Sequence, residues 1–125
     1  MIQKLIWLAL AGAVGTLARY GLAGYIDKFN GSTFPWGTVA VNLIGCFVAG
    51  LLWALFENKW PASIEIRTIV LIGFLGAFTT FSTLILESGH LIHSTQWMRA
   101  VGNIMMQNGI GFVALFTGMS LGRMV

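Results

Sequence analysis

The stretch GFLGAFTTFSTLILE, residues 73–87, places two glycines, four hydroxyl side chains and a terminal carboxylate in an otherwise apolar segment. Glycine and threonine both lower helix stability, and buried hydroxyl groups need hydrogen-bond partners. Backbone carbonyls freed inside a membrane are tolerated only where protein, water or an ion satisfies them. The pattern is therefore compatible with a helix break at residues 76–80 that presents carbonyls to a cation. The alternative is a continuous helix that bends because its hydroxyls bond to carbonyls one turn earlier.

The composition around this stretch is that of a membrane protein. Of 125 residues, 57% are hydrophobic and 9% are charged, with a mean hydropathy of +0.83. Ordinary globular domains carry roughly 25% charged residues. Residues 29–56, 68–86 and 100–122 contain no charged side chain, and residues 5–26 contain only Arg19. Each window is long enough to cross about 30 Å of hydrocarbon at about 1.5 Å per residue.

We therefore predict an all-α, multi-pass membrane protein with a single domain over residues 1–125. Its four transmembrane helices are expected at residues 3–26, 34–57, 66–93 and 97–124. The net charge of +3 comes from basic residues scattered at helix ends, which form no patch for nucleic acid. An enzyme is not expected, because no nucleophile and base are recognisable together and His90 with His93 lacks further metal ligands.

The charges that flank the four spans give almost no orientation signal. Four basic residues fall on the face of the termini and three on the opposite face, namely Lys4, Lys59, Arg67 and Arg123 against Arg19, Lys28 and Arg99. Such a balance is compatible with insertion in both orientations and an opposed pair of copies. A real bias hidden by one misassigned residue remains the alternative. Small residues spaced four apart, such as Gly118 and Gly122, favour close helix packing and a homo-oligomer.

Amide side chains occur where the predicted spans should be apolar. Asn42 lies in the second span, and Gln107 and Asn108 lie in the fourth. Asn103, Gln107 and Gly111 share one helical face at i, i+4 spacing. Uncharged donors and aromatic rings suit a path for a small solute that needs hydrogen-bond donors, whereas carboxylates would suit cations. The alternative is that these amides only hold neighbouring helices together.

Two motifs together resemble a known family. The second span carries GTxxVN, residues 37–42, and the third carries GxxGAFTTFST, residues 73–83. This pairing is similar to that of the Fluc/CrcB fluoride channels, and the resemblance covers essentially the whole chain. It implies an antiparallel, dual-topology homodimer in the cytoplasmic membrane of a prokaryote, through which fluoride leaves the cell passively. It also implies a structural sodium ion held at the dimer interface by the backbone carbonyls of Gly76 and Thr79.

The resemblance also assigns roles to particular side chains. The pore asparagine corresponds to Asn42, and the first phenylalanine of an aromatic box corresponds to Phe81. The remaining matches are polar-track residues, a vestibule arginine and an acidic residue near the end of the third helix, namely Ser82, Thr83, Gln107, Arg19 and Glu87. Leu84 stands where the family has a second box phenylalanine, so that wall of the fluoride pathway is either aliphatic or rebuilt.

Two other functions stay open at the level of sequence. A proton-coupled exporter of small anions would use Glu87, His90 and His93 as titrating groups, although all three lie toward one end of the third span. A structural membrane subunit would use Asn42 and the hydroxyls of residues 79–83 only to bind other helices.

Overall fold

The computed structural model describes all residues from Met1 to Val125 and is 86% helical, with no strands. Its elements are α1 (Ile2–Asn30), α2 (Trp36–Asn58), α3 (residues 64–78), α4 (Phe81–His93) and α5 (Trp97–Met124). Together α3 and α4 form one of the four segments that are long and apolar enough to cross a membrane. The predicted all-α architecture with four spans and an interrupted third span is confirmed.

The connection between α1 and α2 is held by one carboxylate. Gly31 ends α1 in the left-handed conformation at φ 54°, and its N–H donates to the Asp27 carbonyl at 3.3 Å. The Asp27 side chain then accepts a hydrogen bond from the Gly37 N–H at 2.8 Å. A negative group at the start of a helix is favourable because the first N–H groups are unpaired and the helix dipole is positive there. Asp27 therefore fixes the start of α2 against the end of α1.

Glycines let the helices approach one another at the level of their backbones. A Cβ added to Gly15 of α1 would collide with the Phe74 carbonyl of α3. A Cβ on Gly118 of α5 would collide with the Phe47 carbonyl of α2, and one on Gly122 would lie 2.7 Å from the Leu51 carbonyl. Such contacts provide much of the packing between helices in lipid, where no hydrophobic effect drives association.

Helix α3 contains a π-helical segment and ends at two residues in an extended conformation. Residues Thr68–Leu75 are a π-helix, which is often found at functional sites. The last turn of α3 ends at Phe78, and Thr79 and Thr80 are extended, with ψ angles of 159° and 116°. Buried Val41, Leu75 and Phe78 form the apolar core beside this interruption. The break is thus supported by packing from α2 as well as by its own sequence.

Candidate functional site

Asn42 pairs with the peptide group of Thr80 at the break. The Asn42 Nδ2 donates to the Thr80 carbonyl at 3.0 Å, and the Thr80 N–H donates to Asn42 Oδ1 at 2.8 Å. In a continuous helix the Thr80 N–H would bond to the Gly76 carbonyl. Asn42 on α2 therefore replaces the missing helical hydrogen bond and stabilises the non-helical conformation at Thr80.

The interruption frees carbonyl oxygens at the end of α3. The Gly76 carbonyl loses its helical partner because the Thr80 N–H donates to Asn42 Oδ1 instead. The Thr79 carbonyl loses its own because the Thr83 N–H donates instead to Thr80 Oγ1 at 3.2 Å. Both residues border the same cavity. Carbonyl oxygens without helical partners are the type of ligand that a hard cation prefers.

Arg19 compensates a third carbonyl at the break. Its Nε donates to the Ala77 oxygen at 3.1 Å. A guanidinium next to the last carbonyls of a helix is favourable because the helix dipole is negative there. The structure thus places Arg19 against the break, where it serves as a side-chain cap for α3.

A chain of side-chain amides runs from the break into the protein. Asn42 Nδ2 donates to Gln107 Oε1 at 2.6 Å, and Gln107 Nε2 donates to Asn103 Oδ1 at 2.8 Å. Asn103 Nδ2 donates to Ser88 Oγ at 3.0 Å, and Ser88 Oγ donates to the Leu84 carbonyl at 2.8 Å. Asn103 is 0% exposed. We call Asn42, Gln107, Asn103 and Ser88 the amide relay.

A cavity of about 680 Å³ opens beside the relay and the break. Among its lining residues are six of the predicted site residues, namely Asn42, Gly76, Thr79, Phe81, Leu84 and Gln107. No charged side chain lines it. Phe81 is 71% exposed while Leu84 is 4% exposed, so these two neighbours present very different surfaces. We call this space the amide cavity.

Glu87 lies in a second cavity, of about 500 Å³, next to the start of α2. Thr38 Oγ1 donates to Glu87 Oε1 at 2.7 Å, and Asp27 and His90 also line this space. The other carboxylate oxygen, Oε2, is buried without a hydrogen-bond partner. The two predicted electrostatic residues are therefore separate, with Arg19 at the break and Glu87 in this second cavity.

The hydroxyl groups at and after the break form hydrogen bonds with one another. Thr80 Oγ1 donates to Thr83 Oγ1 at 2.9 Å, and Ser82 Oγ lies 3.4 Å from Thr80 Oγ1. Neither Ser82 nor Thr83 lines the amide cavity, although Thr80 does. Their observed contacts are those of an N-terminal cap on α4, in which Thr80 is the capping residue.

Three residues of this site, Thr80, Asn103 and Ser88, have no sequence signal that predicts their role. Thr80 was visible only as one of several hydroxyls in the break. Asn103 could be placed on the face of Gln107 by its spacing, and Ser88 lies one turn after Leu84. Their pairing depends on how α4 packs against α5, which no local pattern encodes. No group of three or more histidine, cysteine or acidic side chains is arranged to hold a metal ion.

The fold and the site define a multi-pass membrane protein in which an uncharged polar cavity lies beside a broken helix, an arrangement typical of proteins that pass ions. Residues 6–119 match the family described as "CrcB-like protein, Camphor Resistance (CrcB)". The chain belongs to this CrcB family.

Curated relatives match the chain along its full length. A protein of Desulforapulum autotrophicum is 56% identical over 125 residues, covering 100% of both chains. Proteins of Solidesulfovibrio magneticus and Nitrosococcus oceani are 47% and 46% identical, again with 100% of both chains covered. All three are named "Fluoride-specific ion channel FluC". These relatives are thus named as channels rather than as enzymes.

Proposed function

We propose that this chain forms a fluoride-selective ion channel through which fluoride crosses the membrane passively. The observation that carries the proposal is the amide cavity, which combines amide groups and an aromatic ring with a wall free of charged side chains. The names of the full-length relatives support the choice of fluoride.

The residue types suit a small and strongly hydrated anion. A dry pathway must replace the water around fluoride with hydrogen-bond donors, and amide groups supply N–H. The exposed ring of Phe81 can present its positive edge. Because no charged side chain lines the cavity, no side-chain charge holds the anion too tightly to leave. Leu84 would form an aliphatic part of the wall at the position where the family has a second phenylalanine.

The relay restricts which amide can act as a donor. An amide NH₂ has two hydrogens. Asn42 uses both, for the Thr80 carbonyl and for Gln107 Oε1. Gln107 uses only one, for Asn103 Oδ1. Of the two relay amides that line the cavity, we therefore assign the available N–H to Gln107, while Asn42 would reach an anion only by exchanging one of its two bonds.

A structural sodium ion fits the end of α3. Gly76 and Thr79 would hold it through their carbonyl oxygens, which have lost their helical partners at the break. When bound, the ion supplies positive charge that offsets the exposed carbonyl dipoles. The side chain of Thr79 is not needed for this role, because its Oγ1 donates to the Leu75 carbonyl at 3.0 Å.

The proposed site is incomplete in one chain, which supports a homodimer. Two backbone carbonyls are fewer oxygen ligands than a hard cation requires. Gly76 lies at the surface of the chain, so a second copy can bring its own pair of carbonyls to the same ion. An antiparallel arrangement agrees with the nearly balanced basic residues on the two faces.

Efflux from liposomes that contain only purified protein tests the function. We expect fluoride to leave when a potassium ionophore removes the charge imbalance, without any partner protein. No fluoride efflux would reject the channel, and efflux that required an added membrane protein would favour a structural subunit.

One observation favours a second candidate, a proton-coupled exporter. The partnerless Oε2 of Glu87 is a place where a proton could bind. The channel requires the same fluoride efflux with and without a proton gradient, and activity in Glu87→Gln. Efflux that followed the proton gradient and disappeared in Glu87→Gln would establish the exporter instead.

A further inference from the structure

The amide relay has a single allowed direction because backbone groups terminate it at both ends. At one end the Thr80 N–H can only donate, so the atom of Asn42 that faces it must be the oxygen. At the other end the Leu84 carbonyl can only accept, so Ser88 must donate to it and accept from Asn103. Both ends thus require the same orientation for each amide between them.

This direction determines which atom of Gln107 faces which neighbour. Its Oε1 is occupied by Asn42, and one Nε2 hydrogen is occupied by Asn103. The second Nε2 hydrogen has no acceptor in the protein. Gln107 also lines the amide cavity, where an anion would need a donor.

We propose that Asn103 is a positioning residue that fixes the orientation of the Gln107 amide and so keeps one N–H of Gln107 for the permeating anion. Asn103 lies outside the cavity lining and is fully buried, so it acts on the anion only through Gln107. Ser88 orients the Asn103 amide in the same way that Asn103 orients the Gln107 amide. The proposal rests on the proposed fluoride channel.

The burial of Asn103 gives this role its physical basis. A buried amide costs free energy unless its polar atoms are paired, and Asn103 pairs with both Gln107 and Ser88. Flipping the Gln107 amide would place its oxygen against Asn103 Oδ1 and its NH₂ against Asn42 Nδ2. Two like groups would then face each other at both contacts, so the observed orientation is strongly preferred.

A double-mutant cycle tests the proposal. Asn103→Leu removes the acceptor at nearly constant volume, and Gln107→Met removes the amide itself. We expect each change to slow fluoride efflux per active channel about tenfold, as for the loss of one buried hydrogen-bond partner. The double mutant should be slowed about tenfold as well, because Asn103 has no amide left to orient.

Two measurements separate positioning from a folding defect. The rate of efflux reports each channel, whereas the fraction of liposomes that empty reports how many channels are active. Positioning lowers the rate and leaves the fraction unchanged. Thr117→Val, which removes an exposed hydroxyl bonded within α5, is the matched control and should change neither. If Asn103→Leu yields no folded protein, Ser88→Ala is used in the same cycle, with the same expectation of non-additivity.

The outcomes also distinguish this inference from the proposed function. A wild-type protein that passes no fluoride rejects both. A conducting wild type overturns the inference alone if Asn103→Leu conducts at the wild-type rate. The inference is likewise overturned if the effects of the two substitutions multiply to about a hundredfold loss of rate, because independent effects add in free energy.

Discussion

Asn42 and Thr80 form a reciprocal pair in which a side-chain amide on α2 bonds to both the N–H and the carbonyl of one peptide group in the third span. This pair stabilises the break and also orients the first amide of the relay. A helix interruption and an uncharged donor path are thus joined at one residue. Substitutions at Asn42 should therefore affect both features.

Asn42→Asp should abolish fluoride conduction. The carboxylate keeps the acceptor for the Thr80 N–H but sets an oxygen against the Thr80 carbonyl and against Gln107 Oε1. It also adds a negative charge at the amide cavity. We expect the efflux rate to fall at least about a hundredfold, since an unpaired carboxylate that is only partly exposed and faces two oxygen atoms costs several kcal/mol. Asn58→Asp, near the end of the same helix and exposed, should conduct normally. Equal rates in the two variants would contradict the role of Asn42.

Gly118→Ala should destabilise the contact between α2 and α5. The added methyl group would collide with the Phe47 carbonyl and lie 2.9 Å from the Leu51 nitrogen. Overpacking of this kind costs about 1–3 kcal/mol. Gly109→Ala is the matched control because nothing lies within 4 Å of its added Cβ. Thermal unfolding in detergent measures both variants, and a midpoint for Gly118→Ala as high as that of Gly109→Ala would refute this packing.

Arg19→Met should weaken the break without touching the amide relay. It removes the bond from Nε to the Ala77 carbonyl and the positive charge beside the end of α3. A hydrogen bond to a charged group contributes about 1.5–3 kcal/mol, and the partial exposure of Arg19 places the expected loss at the lower end. Arg123→Met, at the exposed end of α5, serves as the control. The idea fails if both variants unfold at the same temperature.

Sodium should stabilise the folded protein by binding to backbone carbonyl oxygens. Replacing sodium by choline at constant ionic strength is expected to lower the unfolding midpoint, because a ligand that binds only the folded state adds about 2.7 kcal/mol at a hundred times its Kd. Thr79→Val should keep the sodium response, since the carbonyl oxygen remains. Indifference of the wild type to sodium would exclude the ion, and loss of the response in Thr79→Val would implicate the hydroxyl group.

Dual topology can be read from a single labelled cysteine. In a Cys46→Ser background, Val125→Cys places one thiol at the end of α5. An impermeant maleimide applied to intact cells should label about half of the chains if both orientations are equally populated. Labelling of nearly all or nearly none of the chains would demonstrate a single orientation.

The four spans and the change in the third span could be predicted because both have local signals. Uncharged windows mark the spans, and the glycines and hydroxyls of residues 73–83 indicate a break or a bend. The π-helix at Thr68–Leu75 carries no such signal, because its residues are as apolar as those of any membrane helix. The close contact of this segment with α1 at Gly15 is a tertiary feature that the local sequence does not encode.

The site was only partly predictable. Asn42 and Gln107 stand out as amides in apolar spans, but their contact depends on the packing of α2 against α5. Spacing places Asn103 on the face of Gln107 without showing that it is buried or bonded to Ser88. The direction of the relay follows only once the backbone groups at its two ends are located. Such long-range pairings require coordinates.

Selection of fluoride is the property that we propose for the uncharged, amide-lined cavity. The most direct measurement is the reversal potential of purified protein in a planar bilayer, with potassium fluoride on one side and potassium chloride at equal concentration on the other. We expect fluoride alone to carry the current. The reversal potential should then lie far from zero, with the sign that opposes the flow of fluoride down its gradient. A reversal potential near zero, with equal currents carried by the two anions, would contradict the claim.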